Sequence, residues 1–206
     1  MPQPEQTSAP ILSEASARAW LSSPRYERYL AAADGNHDTA VALYLWNSRV
    51  AAAGVTDLGH LEIAFRNAYD RALSAVHPNW SIDPHCRLFR QEQGVNAARA
   101  RQRDANKTSL ARINEARRGL GANVTHSEVV AALSFGFWSS LTTPERAPLI
   151  WNPSLHRAFP SGTRRARVHD LVTRAVRFRN RLAHSEPVFS RRTGLAARLA
   201  EVDDLL

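Results

Sequence analysis

Near the C-terminus the chain reads Arg179-Asn180-Arg181-Leu182-Ala183-His184. An arginine keeps its charge at any physiological pH and can neutralise a phosphate while its bonds rearrange. A histidine, with a reference pKa near ~6.5, takes or gives a proton at neutral pH. Together the two suffice for attack of a ribose 2′-hydroxyl on the adjacent phosphodiester without a metal ion. The plainer role for a histidine near a helix end is as a dipole partner, and the residues alone leave both open.

The element that must carry this motif is a helix over residues 164–184. Val168, Leu171, Val172, Ala175 and Leu182 fall on one stripe at helical spacing. At about 100° per residue, Arg179 projects with that stripe. A guanidinium among core residues needs a carboxylate inside the fold or a cleft that takes an anion. On the same rotation His184 stands roughly 140° from Arg179. The two meet at one atom only if the helix ends or bends near Ala183, or if a second chain brings its own motif across a two-fold axis. Pro187 favours an ending there. Asn180 shares a face with His184, and Arg174, Arg177 and Arg181 are candidate RNA-binding residues around them.

A second anomaly lies at Glu62-Ile63-Ala64-Phe65-Arg66-Asn67. Glu62 projects within about 40° of a stripe made by Leu58, Leu61, Phe65, Ala68, Tyr69, Ala72, Leu73 and Val76. Arg66 follows at i+4, the favourable order for a helical ion pair. Two arrangements are open. Glu62 and Arg66 form a register-fixing pair, whose loss inside a helix contact costs roughly 3–5 kcal/mol. Alternatively, Glu62 orients Arg179, and among the carboxylates it is the first choice for that task.

Other chemistry finds little footing. His77, His85 and Cys86 lack zinc spacing, so no metal site is expected. No glycine loop for phosphate is present and no cofactor is expected. Ser134-Phe135-Gly136-Phe137-Trp138 reads as aromatic packing. A single cysteine rules out an intrachain disulfide and fits a reducing cytoplasm.

The chain has 206 residues, 44% of them hydrophobic, enough for one sizeable core. No apolar run reaches the ~18 residues of a membrane span. Net charge is +8 and the pI about 10.8. The excess concentrates in residues 87–118, with nine basic residues, and in 164–192, with nine arginines. Two such stretches suit a polyanion such as RNA; arginine-rich codon usage would give the same count.

Glycine is sparse, and alternating Val/Ile/Thr runs are absent, so the predicted class is all-α. Residues 1–10 read as a disordered arm before one domain over 11–206. Helices are expected from Pro24 to Ala33 and from Thr39 to Ala53, where Gly54 stops the second. Asp38 is its expected cap, and Val41, Leu45 and Val50 are its apolar positions, with Trp46 alongside. Others are expected from Leu58 to Val76, capped by Thr56 or Asp57, over 91–118, and from Thr125 to Leu141. Thr125 and Glu128 form a capping box at the start of the last. An aromatic connection over 149–163 and a short helix after Thr193 complete the reading.

These residues resemble the Abi-like abortive-infection proteins, a branch of the HEPN superfamily. The resemblance rests on the Arg179 to His184 motif with Glu186-Pro187 behind it. Leu43-Tyr44-Leu45-Trp46-Asn47 and Leu61 to Asn67 are similar to the family's N-terminal pattern. Val129 to Leu141 is similar to its middle block, and Leu149 to Pro153 with Ala158-Phe159-Pro160 to the approach to its motif helix. The matches come in family order over about residues 25–190. The resemblance implies a HEPN-type antiparallel bundle with additional N- and C-terminal helices. It implies a metal-independent endoribonuclease that leaves a cyclic phosphate and acts in antiphage defence or as a toxin. It carries the catalytic roles to Arg179, Asn180 and His184, and supporting ones to Glu62, Arg66 and Asn67. One motif per chain then implies a homodimer, and a toxin implies a protein or RNA antitoxin. Some HEPN proteins bind without cutting, so a non-catalytic RNA-binding or adaptor bundle is the alternative.

Overall fold

The computed structural model describes residues 12–86, 88–89 and 97–189. The expected arm at 1–10 and the helix expected after Thr193 lie outside them. Among the described residues every regular element is helical and no strand forms.

Two short helices open the chain, α1 (Glu14–Leu21) and α2 (Ser23–Ala32). Ser13 caps α1, its hydroxyl accepting from the Ser16 amide at 3.2 Å. Pro24 sits in the first turn of α2, where its missing N–H has no helical acceptor to lose. The turn Asp34-Gly35 then passes through the left-handed region, at φ 51° and 81°. Asn36, not Asp38, caps the next helix, accepting from the Thr39 amide at 2.8 Å.

That helix, α3 (His37–Ser74), is one rod of 38 residues, about 57 Å at 1.5 Å per residue. Two helices with a break at Gly54 were expected, and the structure corrects this. Gly54 is buried mid-helix, and a Cβ there would lie 2.6 Å from Leu182 Cδ1. The glycine is a seat for a crossing side chain rather than a stop. Thr56 is no cap, since its hydroxyl donates back to the Ala52 carbonyl at 3.1 Å.

The inward phase of α3 is set by Ala40, Asn47, Ala51, Gly54, Leu58, Leu61, Phe65 and Tyr69. That phase turns Leu45 and Trp46 outward, 43% and 42% exposed, against the expected inward Leu45.

After α3 a loop carries Trp80, Ser81 and the half-buried Cys86. Ser81, His126 and Asp70 form a chain. The Ser81 hydroxyl lies 2.7 Å from His126 Nδ1, and His126 Nε2 lies 3.0 Å from Asp70 Oδ1. Asp70 also accepts from Trp80 Nε1 at 2.8 Å. Ser81 is 2% exposed, closed to a substrate carbonyl, so this network staples the loop rather than cutting anything.

The basic helix is α4 (Ala97–Leu120). The expected single helix from Thr125 is two, α5 (His126–Ala132) and α6 (Phe135–Ser140). Leu133 and Ser134 between them are extended, with ψ 129° and 160°. Phe135 and Phe137 lie about 200° apart around α6 itself, and both are buried, so this short helix is enclosed on opposite faces. Trp138 Nε1 donates across the break to Leu133 O at 3.2 Å. The Thr125–Glu128 capping box forms at the start of α5.

The connection to the motif helix is a 3-10 turn (Pro144–Arg146), a π turn (Ala147–Trp151) and a second 3-10 turn (Leu155–Ala158). Arg146 is 2% exposed without a salt bridge among the described residues. It donates to Ser109 Oγ at 2.6 Å and to the Ala105 carbonyl on α4, and lies over the Phe89 ring. Burial, with Arg112 nearby, pushes its pKa down to about 10. The residue ties α4 to the body of the fold.

The motif helix is α7 (Arg165–Ala183). It runs antiparallel to α3, with Leu182 against Gly54 at one end and Leu171 beside Ala68 at the other. The main core lies between these two helices, α5, α6 and the connection. A smaller cluster of Ala17, Leu21, Tyr26, Tyr29, Ala33 and Ala40 joins α1 and α2 to the first turns of α3.

Candidate active site

α7 places Arg179 at the edge of its buried stripe of Val168, Val172, Ala175, Phe178 and Leu182. The side chain is 40% exposed, so it is not the core residue its spacing indicates. A long stem lets the head reach out past the apolar seam. There Nη2 stands 3.6 Å from Glu62 Oε2, and Nη1 donates to Asn180 Oδ1 at 3.4 Å. Glu62 is the less exposed partner, at 16%. The Glu62 carboxylate from α3 and the Asn180 amide oxygen therefore face the two ends of the guanidinium, which is otherwise partly open to solvent.

Of the two arrangements open to Glu62, the pair with Arg66 does not form among the described residues and the contact with Arg179 does. Arg66 instead donates to the Ala131 carbonyl at 3.2 Å, one of the last carbonyls of α5, which α5 itself leaves unpaired. Asn67 is exposed on the outer face of α3, about 140° around the helix from Glu62. Of the three α3 residues, the structure brings only Glu62 to Arg179.

His184 is the residue on which α7 ends. Its amide donates to Asn180 O at 3.0 Å, and the next two amides donate back to Leu182 O and Arg181 O, each at 2.9 Å. These are the bonds of a Schellman ending. Ser185 supplies the left-handed residue, with φ 51°. The imidazole is exposed and makes no hydrogen bond among the described residues. The helix stops after Ala183, and five residues at about 100° each set His184 roughly 140° around its axis from Arg179.

The segment behind His184 is held from several sides. Asn47, wholly buried on α3, accepts from the Val188 amide at 2.8 Å and donates to Glu186 O at 3.4 Å. Arg25 of α2 donates to His184 O at 3.4 Å. Arg181 donates to Pro187 O at 3.1 Å and lies 3.3 Å from the Glu186 carboxylate. Part of its hydrogen-bonding capacity is thus spent on the turn. Arg177 is exposed and Arg174 half-buried.

Sequence reasoning gave no role to Asn47 or Arg25. The one available signal for Asn47 was its phase, seven residues after the buried Ala40 and seven before the buried Gly54.

Chemically, the arrangement offers a half-exposed cation aimed by a carboxylate, a neighbouring amide and a free imidazole one turn away. Comparison with protein-family models, with curated proteins and with solved structures gives no match to the chain.

Proposed function

We propose that the chain is a HEPN-type endoribonuclease of the Abi-like kind, active as a homodimer in antiphage defence or as a toxin. The carrying observation is Arg179, oriented by Glu62, on the same helix end as an unengaged His184. In this reading Arg179 neutralises the scissile phosphate. His184 transfers a proton as the 2′-oxygen attacks phosphorus and the 5′-oxygen leaves. The products are a cyclic phosphate and a 5′-hydroxyl. Asn180 holds the Arg179 head and the RNA backbone, and the arginines of α7 and α4 hold the strand.

The rotation of roughly 140° between Arg179 and His184 on α7 favours two copies. Each composite site would take groups from both motifs. On the Arg179 side of α3 the exposed apolar residue is Val55, two turns before Glu62 and within about 20° of it around the helix.

The test is cleavage of RNA by the purified protein in EDTA. Arg179→Ala and His184→Ala are each expected to lose at least ~100-fold in rate. Unchanged cutting by both variants overturns the assignment. Salt-sensitive RNA binding with no product at high protein concentration would instead favour the binding or adaptor reading, which the same rotation between the two groups supports. Expression in a host checks the toxic activity, with growth restored by His184→Ala.

A further inference from the structure

Asn47 of α3 is a polar side chain in a buried phase, 0% exposed, on the face that takes Leu182 at Gly54. An amide enclosed in this way must pair its oxygen and its nitrogen within the protein. Both pairs reach the turn that follows His184. Oδ1 accepts from the Val188 amide at 2.8 Å, and Nδ2 donates to Glu186 O at 3.4 Å. Among the described residues Asn47 spends its side chain on this turn and on nothing else.

Three further features hold the same turn. Val188 is buried, and Phe189 behind it lies 5.3 Å from the Tyr29 ring. Arg25 of α2 donates to His184 O at 3.4 Å. Ser185 keeps a left-handed φ of 51°, a conformation that costs a non-glycine residue energy and persists where its surroundings enforce it.

His184 thus sits between two anchors on one helix. Ahead of it Leu182 seats on Gly54, and behind it the turn is tied to Asn47. Those two α3 positions are seven residues apart, within about 20° around the helix and about 10 Å along it. The imidazole is exposed and has no hydrogen bond of its own among the described residues. A histidine that moves protons is commonly oriented by a bond to its second ring nitrogen. Here the direction in which the ring leaves the helix end is set by the backbone on either side of it.

We propose that Asn47 is a positioning residue for proton transfer: its amide fixes the turn behind α7 and, through it, the direction of the His184 imidazole. The inference rests on the nuclease reading of His184. Asn47 itself touches neither RNA nor the reacting atoms.

The experiment is a double-mutant cycle on RNA cleavage in EDTA with Asn47→Leu and His184→Ala. Leucine keeps the branched shape of the side chain and removes both bonds. Asn47→Leu is expected to lower kcat about tenfold and to hold KM within about twofold, because a small misplacement of a catalytic group is costly. In the His184→Ala background, read on the residual rate and on the rate restored by added imidazole, the same substitution is expected to change the rate less than about twofold. A diffusible base needs no aiming. Equal losses in both backgrounds would make Asn47 a residue of the fold only and overturn the proposal, as would Asn47→Leu protein cutting at the parent rate. A parent that cuts no RNA, or one that His184→Ala leaves unchanged, overturns the nuclease reading itself and this role with it. Circular dichroism checks the fold of Asn47→Leu. If that variant does not fold, Arg25→Met, on an exposed side chain, carries the same cycle through the other hold on the turn. Its expected loss is about threefold in kcat, vanishing without His184, and no loss overturns the proposal.

Discussion

Arg179 shows how much one side chain's surroundings decide. Its partner Glu62 is 3.6 Å away and the guanidinium is 40% exposed, so the pair adds little to stability, under ~1 kcal/mol. On the proposed reading its value lies in aim. Glu62→Gln keeps the size and removes the charge. The variant is expected to unfold within ~1 kcal/mol of the parent while the catalytic rate constant for RNA falls about tenfold and KM holds, a transition-state loss of ~1.4 kcal/mol. An equal loss in KM alone would mean that Arg179 binds without assisting. Glu128 gives a pH readout at the same scale. Its carboxylate accepts from the Thr125 hydroxyl and amide at 2.7 and 2.8 Å, and these bonds hold its pKa below the ordinary value of 4.5. The unfolded chain therefore takes up this proton at higher pH than the folded one. The cap's stabilisation is complete above the unfolded value and fades as pH falls through the folded one. Melting temperatures of the parent and Glu128→Gln should differ most at neutral pH and converge below about pH 4.5. A constant gap down to pH 3 would contradict this.

Among the elements, α3 separates two glycines that look alike in sequence. At Gly59 an added Cβ meets nothing within 4 Å, whereas at Gly54 it meets Leu182. Gly59→Ala is expected to stabilise by up to ~1 kcal/mol through helix propensity. Gly54→Ala should forfeit that gain, because displacing a packed leucine costs typically ~1–3 kcal/mol. Denaturant midpoints of the two variants decide it. This contrast also marks what the sequence made legible. The apolar stripes of α3 and α7 were readable from spacing, and so was the nearness of Glu62 to Arg179, since two charges in core phases on packed helices tend to find each other. The continuity of α3 was not readable, because a glycine that ends a helix and one that receives a neighbour look the same without the neighbour. The α5–α6 break was equally hidden. Val130, Leu133, Phe137 and Leu141 keep helical spacing across Leu133 and Ser134, where the backbone is extended, and periodicity assumes a straight axis. Asn47 stood in a quoted pattern without a role, because a polar residue in a buried phase gains its meaning from backbone groups 139 and 141 positions away.

At the scale of the whole chain, the all-α class was legible from composition, while the arrangement was not. Clamping of the segment behind the motif by Asn47 and Arg25 depends on contacts far apart in sequence. No described helix is long and apolar enough to cross a membrane, and the net charge of +8 suits a polyanionic partner. The unbroken α3 has a thermodynamic consequence. Its first turns bear the α1–α2 cluster and its later turns the main core, so neither cluster can melt without fraying a rod that both need. Scanning calorimetry on monomer-dilute protein should show one endotherm whose van't Hoff and calorimetric enthalpies agree. Two resolved peaks would mean that the rod parts in the middle and its two ends lead separate lives.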